Sequence, residues 1–291
     1  VHVAVLITDP EGPPLLPERA EDLRRRLRGG ELHWLAQGMA AQCTLASVPQ
    51  DMGQIHAEAD AIGIDLAVVP AEGRRKRVLL ADMDSTMIGQ ECIDELAALA
   101  GVGARVADVT ARAMRGEIGF EASLTERVAL LAGLPEGAIA EVLAMRITHA
   151  PGGRALVATM RAAGAHCALV SGGFTAFTGP VAAALGFHEH RANVLEVAGG
   201  RLTGRVRAPI LGREAKAAAL SEICAAQGCV AAEVLAVGDG ANDLAMLAAA
   251  GLGVALHAKP AVAAAARVQI NHGDLTALLY LQGYARADFA A

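Results

Sequence analysis

Val78-Leu79-Leu80-Ala81-Asp82-Met83-Asp84-Ser85-Thr86 sets a short apolar run against two acids one residue apart. The run is too short for a helix and is bounded by polar turn residues, the pattern of a strand buried in a parallel sheet. Both acids fall at its end. Side chains alternate across a strand, so Asp82 and Asp84 face the same way if the pleat continues. The reading adopted is that the chain is already turning and that each acid has its own task. A solvated strand end fits these residues equally well, and the rest of the chain decides.

Ahead of this strand the first seventy or so residues alternate in type: a strand at 2–7, a charged helix at 18–27, strands near 32–36 and 43–48, a helix near 52–62 and a strand at 65–69. That βαββαβ order predicts a ferredoxin-like module. The basic run Arg74-Arg75-Lys76-Arg77 follows and reads as a solvated linker. Beyond the opening strand, residues 91–146 are alanine-rich and helical in period, with breaks at Gly101, Gly116 and Gly133-Leu134-Pro135, which predicts a small helical bundle. Strand and helix then alternate again: helix 154–163, strand 166–170, helix 175–185, a hairpin around Gly199-Gly200, helix 214–226, strand 234–237 and shorter units. The fold class expected is α/β, a doubly wound parallel sheet with the bundle inserted after its first strand, where it can close over the strand ends. The division expected is 1–73 for the amino-terminal α+β module, 74–87 with 151–291 for the core, and 88–150 for the insertion.

The totals narrow the functions. The chain has 291 residues, more than the roughly 250 at which single cores stop growing, so two domains are expected. A net charge of −6 and a pI near 5.9 argue against a partner with a phosphate backbone, which is bound through clustered Lys and Arg; no nucleic acid is expected. Cys43, Cys92, Cys167, Cys224 and Cys229 form no CxxC pair and no metal spacing with histidine. Free thiols in a reducing, cytoplasmic compartment are the expectation. The first apolar run leads into Asp9, Glu11 and two prolines rather than a cleavage site, so no targeting segment is read there. The longest uncharged run, 168–188, is broken by Gly172, Gly173, Gly179, Pro180 and Gly186, which suits a strand, a turn and a helix rather than a membrane span.

Three further stretches sit where strands should end. Ser171-Gly172-Gly173 follows Ala168-Leu169-Val170 and precedes a helix, so N–H groups and a hydroxyl would point at an anion near the helix start. Lys216 lies in the first turns of a helix, where a solvated lysine and a phosphate-facing cation are both readings. Gly238-Asp239-Gly240-Ala241-Asn242-Asp243 follows Leu235-Ala236-Val237. Asp239 and Asp243 are close enough there to share a cation, or to serve as helix caps. Taken together, at successive strand ends, these features are what a Mg²⁺-assisted phosphoryl transfer requires. No GxxxxGK[ST] is present, so the phosphate is not held by a nucleotide P-loop.

DMDST, SGG, the isolated lysine and GDGAND resemble the signature stretches of the haloacid dehalogenase-like phosphatases. The insertion, with Glu91-Cys92-Ile93-Asp94-Glu95-Leu96-Ala97, Met114-Arg115-Gly116, Phe120, Ser123-Leu124 and Arg127-Val128, resembles the phosphoserine phosphatase branch. The amino-terminal module is similar, by element order alone, to the ACT-type domains that precede many bacterial members. The resemblance implies hydrolysis of O-phospho-L-serine, the closing step of serine synthesis. Asp82 would be the nucleophile and Asp84 the proton donor and later acceptor. Mg²⁺ would be held by Asp82, the Asp84 carbonyl and Asp239. Ser171, Gly172 and Lys216 would meet the phosphoryl oxygens, with Gly173 in support, Asn242 the substrate side, and Asp243 would support metal and lysine. Glu91 and Arg127 would select the ammonium and carboxylate of an amino acid. Met114 and Phe120 would shield the site, although their helical spacing also suits bundle core. Pairing of two subunits through the ACT-like module is a further implication. A phosphatase or phosphotransferase for another small ester, and a non-enzymatic phospho-acceptor or amino-acid-binding regulator, are the alternatives.

Overall fold

The computed structural model describes residues 1–290. Its amino-terminal module runs β1 (His2–Thr8), α1 (Pro17–Arg26), β2 (His33–Ala36), β3 (Ala40–Leu45), α2 (Met52–Asp60) and β4 (Ile64–Pro70). The strands form an antiparallel sheet of order β2-β3-β1-β4, the ferredoxin-like arrangement. β3 begins at Ala40 rather than Cys43 because Gly38, at φ +71°, turns the chain and pairs His33 with Gln42. A left-handed residue of this kind suits glycine.

β1 is central and apolar on both faces. Ala4 and Leu6 pack with Leu23 of α1 and Ile55 of α2. Val3, Val5 and Ile7 on the other face join the core of the larger domain, so the two domains share buried surface. The basic run is therefore a strap rather than a solvated linker. Arg74 donates to Gln42 Oε1 at 2.9 Å and to the carbonyls of Tyr280 and Leu281 at 3.2 and 3.1 Å. Arg75 lies 4.3 Å over the Tyr284 ring, and Lys76 Nζ reaches the carbonyls of Gly73 and Ala232. The buried carboxylate of Asp65 makes a second tie, accepting the main-chain N–H groups of Asn271, His272 and Gly273.

The larger domain is built on a sheet of order β11-β10-β9-β5-β6-β7-β8. β5 (Val78–Ala81) lies at its centre, fully buried, parallel to β6 (His166–Phe174) on one side and β9 (Val234–Gly238) on the other. β7 (Glu189–Ala198), β10 (Leu252–Leu256) and β11 (Val268–Ile270) extend the parallel set, and β8 (Arg201–Arg207) adds an antiparallel edge. Alternation along β5 splits its side chains between two layers. Leu79 and Ala81 join Leu156 and Met160 of α7 (Gly153–Ala162), Phe177 of α8 (Thr175–Leu185) and Leu278 of α12 (Ala277–Leu281). Val78 and Leu80 meet Leu220 and Ile223 of α9 (Arg213–Gln227) and Met246 of α10 (Leu244–Ala249). A strand covered on both faces must be apolar throughout, which is why its polar residues wait for its end. A short helix, α11 (Pro260–Ala265), connects β10 to β11.

Four helices, α3 (Cys92–Leu99), α4 (Gly103–Met114), α5 (Phe120–Ala129) and α6 (Gly137–Met145), stand between β5 and α7 as a bundle. The two chain crossings that join them to the core pair with each other: Ile88 bridges His149, Gly89 N donates to Thr148 O at 3.0 Å, and Ala150 N to Met87 O at 2.9 Å. The sequence reading ends β6 at Val170 and makes Ser171-Gly172-Gly173 a turn. In the structure β6 continues to Phe174, with an irregularity against β7 between Val170 and Phe174. Consecutive glycines loosen a strand without ending it. Among the described residues no helix is long and apolar enough to cross a membrane, and the five cysteines are free.

Candidate active site

The ends of β5, β6 and β9 lie side by side at the middle of the sheet, where strand order reverses and α/β folds place their ligands. Asp82 N donates to Val237 O at 3.0 Å, carrying the pairing one residue beyond β5. The chain then turns, with Met83 N on Asp82 Oδ1 at 2.7 Å and Ser85 at φ +55°. The turn lets Asp82 and Asp84 line one cavity, of about 480 Å³.

Behind Asp82 lies Lys216, which is 0% exposed. Its Nζ stands 2.8 Å from Asp82 Oδ2 and 2.6 Å from Asp243 Oδ1. The solvated reading of this lysine is thus corrected, because the packing of α9 against the sheet turns it inward. Burial works against its charge, but the carboxylates of Asp82 and Asp243 outweigh burial and hold its pKa above the usual lysine value. The other oxygen of Asp243 accepts Gly240 N at 3.0 Å. Asp243 sits so close to β9 that a Cβ on Gly238 would lie 2.4 Å from its Cγ, so only glycine fits.

Asp239 accepts the hydroxyl of Thr86, the last residue of the DMDST stretch, at 2.9 Å. Burial lifts its carboxyl to about 6, with the charge of Asp243 adding to the effect. Burial, and then the charge of Glu91, lift Asp84 to about 7. For Asp82, burial and Asp243 push the carboxyl up while Lys216 pulls the other way. Oxygens of Asp82, Asp239 and Asp243 lie within 4.8 Å of one another, all buried. Three carboxylates facing one ammonium leave negative charge uncompensated, and an all-oxygen donor set suits a hard divalent cation.

Ser171 Oγ accepts Gly173 N at 2.9 Å, which folds the glycine pair toward the acids. A Cβ on Gly173 would stand 2.8 Å from Asp84 Oδ2. Gly172 lies under Phe120, whose Cζ would be 3.2 Å from a Cβ there, so the ring spans the gap between bundle and core. Ser171, Gly172, Gly173 and Asn242 all line the cavity, whereas Lys216 and Asp243 stand behind its wall.

The bundle supplies Glu91, Arg127, Phe120 and Met114 to the same cavity. Glu91 Oε1 accepts the Ser85 hydroxyl at 2.8 Å, linking the base of the bundle to the turn that carries the acids. Arg127 Nε leans on Ser123 O at 3.4 Å. Met114 is 68% exposed, so it belongs to the rim and not to the bundle core. Asp94, Arg213 and Lys259 also line the cavity and were not foreseen from the sequence. Asp94 lies three residues past Glu91 at the start of α3, a spacing that puts both on one helical side; the other two carry no local signal. Asn193 was missed as well. Buried at 2% exposure, it bonds Gly172 O at 2.8 Å and both main-chain groups of Leu211.

A carboxylate held by a buried cation, a second carboxyl lifted to about 7 and an oxygen-lined acidic cluster meet at the ends of neighbouring parallel strands, an arrangement that fits a hydrolase. The chain belongs to the haloacid dehalogenase-like hydrolases, a family that matches residues 79–248. It is 48% identical over 237 residues to the phosphoserine phosphatase of Streptomyces coelicolor, a match covering 80% of this chain and 57% of that protein. The chain thus spans little more than half of that relative's length. With the phosphoserine phosphatase of a Polaromonas species the identity is 47% over 210 residues, 70% of this chain and 89% of the other. The crystal structure of a probable phosphoserine phosphatase from Vibrio cholerae superposes with a TM-score of 0.81 at 33% identity, covering 99% of this chain and 88% of that one.

Proposed function

We propose that the chain hydrolyses O-phospho-L-serine to L-serine and phosphate, the closing step of serine synthesis. The observation that carries this reading is that Asp82, Asp84 and the Ser171 loop share one cavity with Glu91 and Arg127. Support also comes from the names of the relatives. Asp82 attacks phosphorus in line, and the ester oxygen leaves with the proton of Asp84, giving an aspartyl-phosphate and serine. Asp84, now ionised, draws a proton from water, which attacks the same phosphorus and frees Asp82. A carboxyl near 7 would suit both tasks.

Lys216 holds the charge of Asp82 in place and, with Ser171 and Gly172, offers donors toward the phosphoryl oxygens. Asn242, whose Nδ2 would lie 3.8 Å from a Cβ on Gly172, faces the substrate beside that glycine, and Asp243 fixes Lys216. Mg²⁺ would be held by Asp82, the main-chain carbonyl of Asp84 and Asp239, and when bound it neutralises the repulsion between nucleophile and phosphate. On the bundle side Glu91 meets the substrate ammonium and Arg127 its carboxylate, with Met114 and Phe120 closing the mouth. On this reading residues 88–150 are the cap, 74–87 with 151–291 the catalytic core, and 1–73 an ACT-like module.

The test is phosphate release from phosphoserine with and without EDTA: release that EDTA stops is expected, and equal release in both, or none in either, overturns the proposal. Arg127→Ala is expected to lower the preference for phosphoserine over p-nitrophenyl phosphate by about 10- to 100-fold, the range for a hydrogen bond to a charged group. Competition kinetics measure that ratio, and an unchanged value would remove Arg127 from recognition.

A further inference from the structure

We propose that Asn193 is a positioning residue that keeps the phosphate-binding loop and the lysine helix in one fixed relation; this rests on the function proposed above. Asn193 lies on β7, opposite Phe174 in the register with β6 and just past the irregularity that follows Val170. Ser171-Gly172-Gly173 occupies that irregularity, where regular ladder pairing is interrupted and does not orient the peptides.

The amide of Asn193 replaces the missing ladder. Nδ2 donates to Gly172 O at 2.8 Å and to Leu211 O at 3.2 Å, and Oδ1 accepts Leu211 N at 2.6 Å. One side chain thereby uses both of its faces. Holding the Gly172 carbonyl on the Asn193 side leaves the Gly173 N–H on the opposite side of that planar peptide, where it meets Ser171 Oγ at 2.9 Å. Leu211 is two residues ahead of α9, the helix that delivers Lys216 to Asp82. Gly212, next in the chain, packs against the same Phe120 ring that covers Gly172. The loop, the ring and the start of the lysine helix therefore meet around one buried amide. Among the described residues no other side chain bonds Leu211.

The role predicts a separation between phosphate recognition and amino-acid recognition, because Glu91 and Arg127 lie on the bundle and their bonds go to Ser85 and Ser123 rather than to Asn193. Asn193→Ala is expected to lower kcat/KM for phosphoserine about 100-fold, the scale of a displacement of roughly 1 Å in a reacting group. Inhibition by inorganic phosphate should weaken about 10-fold, while inhibition by L-serine changes less than about 2-fold. Asn193→Ser, which retains one donor, should fall between alanine and asparagine in both measurements.

A variant that melts earlier but keeps the phosphate inhibition constant would make Asn193 a structural residue only and overturn the inference. Failure of both variants to fold would do the same, assigning Asn193 to the fold alone. Equal weakening by phosphate and by L-serine would also count against it, since the effect would then be general. If the unaltered enzyme neither hydrolyses phosphoserine nor binds phosphate, the function proposed above falls and takes this inference with it. Normal behaviour of the unaltered enzyme with an unchanged alanine variant removes the inference alone.

Discussion

Asp82→Asn is expected to remove turnover of phosphoserine, by more than about 10⁴-fold, the scale seen when a member of a covalent catalytic unit is deleted. An amide has no anionic oxygen to attack phosphorus, yet it preserves the shape of the site. Its carbonyl oxygen can still accept from Lys216, now 2.8 Å from Asp82 Oδ2. Removing one of two mutually repelling buried carboxylates also relieves the effect of Asp243 on this position. Folding should therefore be retained, with a melting temperature no lower than that of the unaltered protein. Steady-state phosphate release and a thermal melt on one preparation measure both. Activity within tenfold of the original would mean that another group forms the bond to phosphorus.

Lys216→Met should produce the opposite pairing of effects. The side chain is similar in length and fits a fully buried site, but Asp82 and Asp243 lose the ammonium they share at 2.8 and 2.6 Å. Breaking a buried pair by removing one partner costs about 3–5 kcal/mol, because the remaining charge is left without compensation. Turnover should fall by about 10²–10³-fold or more, the range for losing one preorganised donor at a developing charge. Urea unfolding measures the first effect and phosphate release the second. Unfolding at the original urea concentration would show that Lys216 does not neutralise the acids behind the cavity. Asp82→Asn is thus expected to be stable and inactive, and Lys216→Met unstable and inactive, so the two separate chemistry from charge balance at one contact.

These contrasts follow the division between what local sequence carries and what it does not. The strand ends were legible because a parallel sheet covered on both faces forces apolar runs, so the acids after Ala81 and Val237 stand out against them. The helical insertion was legible from its period. Lys216 read in isolation as a surface lysine, because its burial is created by partners 134 residues before it and 27 after it in the chain. Arg74 was misread for the same reason: its acceptors on Tyr280 and Leu281 lie more than two hundred residues away. Ser171-Gly172-Gly173 was placed in a turn because glycine pairs usually break strands, whereas β6 resumes its pairing with β7 at Phe174, beyond the irregularity. Asn193 sits in an ordinary amphipathic strand, and nothing in its neighbours distinguishes an amide that faces Gly172 from one that faces solvent.

The paired crossings at Met87-Ile88-Gly89 and Thr148-His149-Ala150 constrain how the bundle can move. A short two-stranded ladder bends more readily than it stretches or slides, so a movement of the bundle against the core would turn about a line only a few residues from Asp84 and would displace Arg127, on α5, more than Asp84. On the function proposed above, the group that gives the proton would then keep its place against Asp82 while the mouth of the cavity opens.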